Sequence, residues 1–198
     1  LIALNGLFAD GAAEAAFSRG YRDLLDEYEP FADEVYRSKR LIVTTALSSE
    51  LNTLARQLDR IAQKGRKSRD FTLSDLRSAL REVIACFPVY RSYIADDGEV
   101  READRRQIEV AVRKARLRNP VLNAGVFKFV RDTLLLKYPD GAADADQGEF
   151  RRFVGKFQQV TSPVMAKGLE DTAFYRFNRL VSLNEVGGEP GRFGTPPA

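Results

Sequence analysis

Residues 48–62 read SSELNTLARQLDRIA. With Leu47 just ahead, Leu51, Leu54, Leu58 and Ile61 alternate steps of four and three. That spacing keeps apolar side chains on one face of an α-helix and leaves the polar residues on the other. The stretch predicts an amphipathic helix, with Ser48 as N-cap and Gly65 as its stop. The same period extends in both directions. Upstream, Phe17, Tyr21, Leu24, Leu25 and Tyr28 fall on one face. Downstream, Leu73, Leu76, Leu80, Val83, Ile84 and Phe87 mark a helix that Thr72 or Ser74 can cap and Pro88 ends. Ile108, Ala111, Val112 and Ala115 mark another, closed by Asn119-Pro120. Leu122, Val126, Phe129, Val130, Thr133 and Leu134 mark the next, closed by Tyr138-Pro139. Phe150, Phe153, Val154 and Phe157 mark one more, with Thr161-Ser162-Pro163 as the break after it.

Strand signals are scarce. Residues 88–94 alternate briefly and Val181–Val186 could extend, so each is expected to form at most a short strand-like piece. Residues 141–148, small and acidic, are the expected flexible loop. The reading is an all-α protein, a multi-helix bundle with roughly 60–70% helix, well above the globular average.

Composition narrows the class. At 198 residues, 44% hydrophobic and 30% charged, the chain can bury a substantial core and has an ordinary globular make-up. No apolar run approaches the ~18 residues of a membrane span. Leu1–Asp10 lack the basic start of a secretion signal, so the cytoplasm is the expected compartment and no membrane contact is expected. The absence of histidine excludes a His-based triad and a His metal cluster, and no metal or cofactor is expected. The single Cys86, in the apolar run VIACF, reads as a small hydrophobe. The only methionine is Met165, the chain opens on Leu1, and its end at 193–198 is loop-like. These features predict a piece of a longer protein.

Residues 163–191, PVMAKGLEDTAFYRFNRLVSLNEVGGEPG, depart from the pattern. Lys167, Glu170, Asp171, Tyr175, Arg176, Asn178, Arg179, Asn184 and Glu185 offer a donor or acceptor nearly every turn, with Met165, Phe174 and Phe177 between them. Such a mixture suits a polar ligand with apolar faces, such as a sugar. The run resembles the segment VMAKGxEDTAFYRxNRLxSLNEVGG of maltooligosyl trehalose synthases, in the α-amylase superfamily. SSELNTLARQLDRIA (48–62), RDFTLSDLRSALREVIACFPVYRSYI (69–94) and RNPVLNAGVFKFVRDTLLLKYP (118–139) are similar to the same family.

The resemblance implies a helical insertion excised from a (β/α)8-barrel enzyme. Residues 1–162 would be the helical insertion domain and 163–198 a signature segment leading back toward the missing barrel. It implies an intramolecular glucosyl mutase that converts the reducing-end α-1,4 bond of a maltooligosaccharide to an α,α-1,1 bond. The superfamily's nucleophilic Asp and acid/base Glu lie on barrel strands preceding such a region. Its third Asp lies in a motif resembling STHDTKRSEDVR, expected further along the chain. None of these motifs is here, so no catalytic residue is expected in this chain and the isolated piece should be inactive. Its partners would be the maltooligosaccharide and the rest of the barrel.

Residue chemistry agrees that Glu170 and Asp171 are no catalytic pair. Glycoside chemistry sets two carboxylates about 5–5.5 Å apart across one bond in retaining enzymes, whereas neighbours on a helix diverge by about 100°. Lys167 stands just before Gly168, where backbone can approach a ligand. Spacing alone favours a surface lysine paired with Glu170 or Asp171; the match of MAKG to the family motif favours substrate contact. Lys167, Glu170, Asp171, Tyr175 and Asn178 are the expected substrate-binding residues, acting directly or through neighbours.

Three further segments carry weaker signals. Tyr90, Arg91 and Tyr93 fit either a carbohydrate surface or a half-buried segment. Arg69-Asp70 is expected to pair and fix the start of the next helix. Residues 101–118 hold seven Lys/Arg against three acids, but few aromatics interleave, so a solvated helix face is expected and no nucleic-acid partner. A helical protein-interaction module is the alternative reading, and a nucleic-acid-binding helical domain ranks below it.

Overall fold

The computed structural model describes residues 6–95, 97–138 and 144–194. After a 3-10 turn at Gly11–Ala13 come α1 (Glu14–Asp23), α2 (Phe31–Thr44), α3 (Ser48–Lys64), α4 (Leu73–Ala85), α5 (Glu102–Arg118), α6 (Ala124–Leu134) and α7 (Asp144–Met165). A π-helical segment, Ala166–Ala173, leads into the single turn α8 (Phe174–Arg176) and a 3-10 turn at Val181–Leu183. Of the described residues, 67% are helical and none forms a strand. The fold is an all-α bundle. It divides into two compact units: Lys39–Met165, and the residues up to Ser38 together with those from Ala166 onward. The N-terminal segment thus groups with the signature stretch, a long-range association that local periodicity does not encode.

In the unit Lys39–Met165, α3 packs on α4 and α7, and α4 also meets α5 and α6. The face read from 48–62 is the one buried: Leu51, Leu54, Ala55, Leu58, Ile61 and Ala62. It meets Leu76, Leu80, Val83 and Ile84 of α4 and Phe153 and Phe157 of α7 in a core with almost no solvent exposure. The rings of Phe87 and Phe157 sit edge-on at 5.5 Å, a favoured aromatic geometry. Each such aromatic contributes roughly 1.5–3 kcal/mol by leaving water.

Several boundaries differ from the sequence reading. Ser48 is the first residue of α3 and Leu47 its N-cap, without a side-chain cap; Gly65 does close the helix. Thr72 caps α4 by accepting from the Asp75 amide at 3.1 Å. The start of that helix is therefore fixed by Thr72 and Asp75, and Arg69 and Asp70 form no ion pair. On α6, Phe127 is fully buried, while Phe129 is half-buried beside Phe71. The helix stops at Leu134 through a left-handed turn at Leu136 (φ 52°), with the Lys137 amide donating to the Asp132 carbonyl, before proline can act.

Residues 144–148, expected as loop, open α7, and 141–143 lie outside the described residues. Pro163 does not break α7, which runs on to Met165. The missing proline N–H costs one ladder bond, but burial of Val160, Val164 and Met165 holds the helix in register. Leu24, Leu25 and Tyr28 lie beyond the end of α1 and are exposed, so the upstream apolar face is shorter than expected. Residues 88–94 form no strand because buried Gln158 takes the place of a neighbouring strand. It accepts from the Ile94 amide at 2.9 Å and donates to the Ile94 carbonyl at 3.1 Å. Tyr93 is exposed, with the Arg91 guanidinium 4.7 Å from its ring centre.

One buried charge in this core has a measurable consequence. Lys39, 2% exposed, donates to the Phe87 carbonyl. Burial lowers its pKa from the ordinary 10.5 to about 8, and Lys114 adds to the fall. Burial likewise pushes the neighbouring Cys86 thiol up to about 11, so it is an inert, free cysteine. A lysine pKa lowered on folding means that the unfolded chain binds more protons between about pH 8 and about 10.5, and stability rises with pH there. The fall corresponds to roughly 3 kcal/mol, against roughly 1–2 kcal/mol for leaving the Phe87 carbonyl unpaired. Lys39→Met is therefore expected to stabilise the fold by about 1–2 kcal/mol near pH 7. It should also lose the rise in denaturation midpoint that the parent chain shows between about pH 7 and about pH 9.5.

Candidate functional site

The signature stretch adopts the one π-helical segment among the described residues. Its wider turn is closed by side chain as well as backbone: the Thr172 hydroxyl donates to the Lys167 carbonyl, five residues back, at 2.8 Å. Gly168 and Ala173 are its buried positions, small residues that let the widened turn sit against its surroundings. π-Helical turns are rare and recur at functional sites.

Three polar anchors hold the chain beyond the π segment. Arg179 reaches Glu14 Oε1 at 3.1 Å, Ser18 Oγ at 3.1 Å, and the carbonyls of Pro190 and Gly191 at 3.1 and 3.3 Å. The rings of Phe177 and Phe193 lie 5.8 and 5.1 Å from its guanidinium carbon. Asn184 donates from Nδ2 to the carbonyls of Phe174 and Phe177 at 2.6 and 2.5 Å. The Tyr21 hydroxyl accepts from the Asn178 amide at 3.0 Å. Beneath lies an aromatic cluster: Phe31 is 6.2 Å from Phe174 and 5.1 Å from Phe177, and Tyr21 is edge-on to Phe177 at 5.4 Å. The Gly187-Gly188 pair closes a turn in which the Gly188 amide donates to the Glu185 carbonyl at 2.6 Å. Gly187 sits there at φ 80°, the left-handed region a side chain disfavours.

These anchors fix where the expected substrate-binding residues stand. Lys167, Asp171, Tyr175 and Asn178 are all exposed, Tyr175 at 78%. Lys167 and Asp171 stand on the π segment, Tyr175 on α8 and Asn178 in the coil just past it, an exposed ridge of polar and aromatic side chains. Lys167 and Asp171 form no ion pair in spite of their i,i+4 spacing. Glu170 is half-buried; the two adjacent carboxyls therefore occupy different surroundings. The Asn178 side chain donates to the Tyr175 carbonyl at 3.1 Å, which steadies the turn between them.

The same unit contains a cleft of about 330 Å³ that sequence reading missed. Tyr21, Tyr28, Glu29, Glu34, Arg37 and Arg176 are in its lining. Arg37 pairs with Glu29 at 2.7 Å and Arg176 with Glu34 at 3.4 Å. Burial raises the Glu29 carboxyl above its ordinary value against the pull of Arg37. Aromatic edges beside paired charges can hold a hydroxylated ligand. Tyr21 and Tyr28 were legible only as part of an apolar face. No local signal brings Tyr21 to Arg176, 155 residues away. Among the described residues, no group of three or more Cys, Asp or Glu could hold a metal ion, and no helix is long and apolar enough to cross a membrane.

No family model matches the chain. A curated Mycobacterium tuberculosis protein described as a maltooligosyl trehalose synthase is 60% identical over 43 residues, 22% of this chain and 6% of that protein. The structure of maltooligosyltrehalose synthase from Arthrobacter ramosus superposes with a TM-score of 0.75 and 30% identity, covering 98% of this chain and 22% of that one. A Sulfolobus tokodaii structure titled as a maltooligosyl trehalose synthase shares the fold, at 22% identity and a TM-score of 0.63. The chain thus spans about a fifth of the solved structures it matches. Over nearly its whole length it resembles a mostly helical segment of maltooligosyl trehalose synthases.

Proposed function

We propose that this chain forms part of an intramolecular glucosyl mutase acting on maltooligosaccharides, and that its signature stretch walls the substrate site without supplying the reacting carboxylates. In such a reaction a carboxylate attacks the anomeric carbon and leaves a glycosyl-enzyme. The released glucose turns over and attacks through its own anomeric hydroxyl, in competition with water. The wall must hold free glucose and exclude solvent.

The observation that carries this reading is the exposed ridge of Lys167 and Asp171 on the π-helical segment with Tyr175 and Asn178 just past it, on a stretch that Arg179 and Asn184 anchor. A lysine and a carboxylate left unpaired at helical spacing are free to meet hydroxyls, and the Tyr175 ring offers a face to a pyranose. Glu170 completes the set as a support.

A second observation favours a wall over a self-contained interaction module. Among the described residues, nine of the fifteen exposed large hydrophobics lie on the smaller unit, the one that carries the signature; they include Phe8, Phe17, Leu24 and Val181. Apolar surface at that density fits a unit that packs against further chain. A direct test incubates the purified 198-residue chain with maltohexaose. Neither a trehalose-terminated product nor free glucose is expected. Measurable mutase turnover would overturn the proposal, because the carboxylates would then have to lie within this segment.

A further inference from the structure

The helical run of the signature stops at Phe177, where the chain becomes extended (φ −103°, ψ 100°). That leaves the carbonyls of residues 174–177 without a following helical turn. Three side chains supply the donors instead. Asn184 Nδ2 donates to the Phe174 and Phe177 carbonyls at 2.6 and 2.5 Å. Asn178 Nδ2 donates to the Tyr175 carbonyl at 3.1 Å. The Tyr21 hydroxyl donates to the Arg176 carbonyl in a long bond of 3.5 Å. The same hydroxyl oxygen accepts from the Asn178 amide at 3.0 Å. One phenol thus serves two backbone groups of the turn, as donor to one and acceptor from the other.

Side chains of this turn are held as well. Phe174 and Phe177 lie against Phe31. Arg176 pairs with Glu34 at 3.4 Å, and the Ser38 hydroxyl donates to the same carboxylate at 2.8 Å. Between them the Tyr175 ring stands out in solvent, 78% exposed. Its backbone is fixed while its face is open. A group fixed before its ligand arrives costs less to order on binding. Tyr21 reaches this turn from α1, 155 positions away from Arg176. Its ring sits edge-on to Phe177 at 5.4 Å, which aims the hydroxyl at residues 176–178.

We infer, resting on the reading of the ridge as a substrate wall, that Tyr21 is a positioning residue of that wall. Its hydroxyl holds the turn 175–178, so the Tyr175 ring and Asn178 are in place when free glucose must be retained. Tyr21 acts through those residues. Its removal therefore falls on the recapture of glucose and leaves bond cleavage alone. Tyr21→Phe deletes one oxygen atom and keeps the ring contact with Phe177.

The first test is amide hydrogen exchange of the 198-residue chain, which is independent of what the ridge binds. In Tyr21→Phe the Asn178 amide is expected to exchange about 5–10-fold faster, the loss of one hydrogen bond, while amides in α3 and α4 keep their rates. Unchanged exchange at Asn178 would overturn the assignment. The second test uses the complete enzyme and the ratio of maltooligosyltrehalose formed to glucose released. Tyr175→Ala is expected to lower that ratio about 10-fold, and Tyr21→Phe about 3–5-fold with total bond cleavage unchanged. Placed on top of Tyr175→Ala, Tyr21→Phe should lower it by less than about 2-fold, because the ring it positions is gone. A ratio lowered by Tyr175→Ala but unmoved by Tyr21→Phe would overturn the role of Tyr21 alone. Full multiplication of the two effects, or a matching fall in total cleavage, would do the same, since either marks general damage to the fold. A ratio unmoved by Tyr175→Ala would instead remove the ridge reading and the role of Tyr21 with it.

Discussion

Arg179→Ala is expected to release residues 177–193 from the unit that holds them while leaving the other unit's helices intact. The Arg179 side chain is 7% exposed and serves four acceptors at once: a carboxylate, a hydroxyl and two carbonyls. It also lies against two aromatic rings. Alanine removes every one of these contacts and leaves the Pro190 and Gly191 carbonyls without that donor. A buried, hydrogen-bonded charge of this kind contributes roughly 3–4 kcal/mol when its partners are stranded. The loss falls on a segment with little regular structure of its own, so it should appear as local opening. Amide hydrogen exchange reads it directly. Protection at Phe177, Asn184 and Arg192, whose amides donate to the Ala173, Val181 and Glu189 carbonyls, should fall by at least about 100-fold, while amides in α3, α4 and α7 keep theirs. Arg179→Lys should not restore protection, because an ammonium cannot present the planar fork that reaches carboxylate and carbonyls together. Unchanged exchange in Arg179→Ala would mean that the aromatic cluster alone holds the signature.

Much of the larger unit was legible in residues 48–157, because one physical cause governs them. Leu51, Leu54, Leu58 and Ile61 repeat at helical spacing since their side chains must leave water on one face, and spacing reports that directly. Boundaries were less legible where two local effects compete. Pro163 argued for a break, yet the burial of Val164 and Met165 outweighs one lost backbone bond. Thr133 and Leu134 were read as apolar-face residues of a helix running toward Pro139, but the left-handed turn at Leu136 ends it sooner. A leucine there carries no turn signal of its own.

The signature behaved differently again. Its composition suggested a polar, aromatic surface, and Lys167, Asp171, Tyr175 and Asn178 are exposed. The π-helical turn beneath it was not legible, since a one-residue widening leaves no clear period in eight residues. The cleft lined by Tyr21, Tyr28, Glu34 and Arg176 was hidden for another reason. It joins segments some 140 residues or more apart in sequence, as the Glu34–Arg176 pair spans 142 positions. Only the folded chain brings them together.

The central claim is that the ridge holds the glucose released during the reaction and never cleaves a bond. Lys167 tests this most sharply, since it is the exposed cation of the ridge and has no ion pair to lose. A hydrogen bond from a charged donor to a sugar hydroxyl is worth roughly 1.5–3 kcal/mol, or about 10–100-fold in the partition between recapture and escape. The decisive measurement is the ratio of maltooligosyltrehalose formed to glucose released by the complete enzyme carrying Lys167→Ala. A wall residue predicts a ratio at least about 10-fold lower, with bond cleavage continuing as glucose escapes to water. A ratio equal to the parent's would contradict the account, as would a loss of cleavage itself.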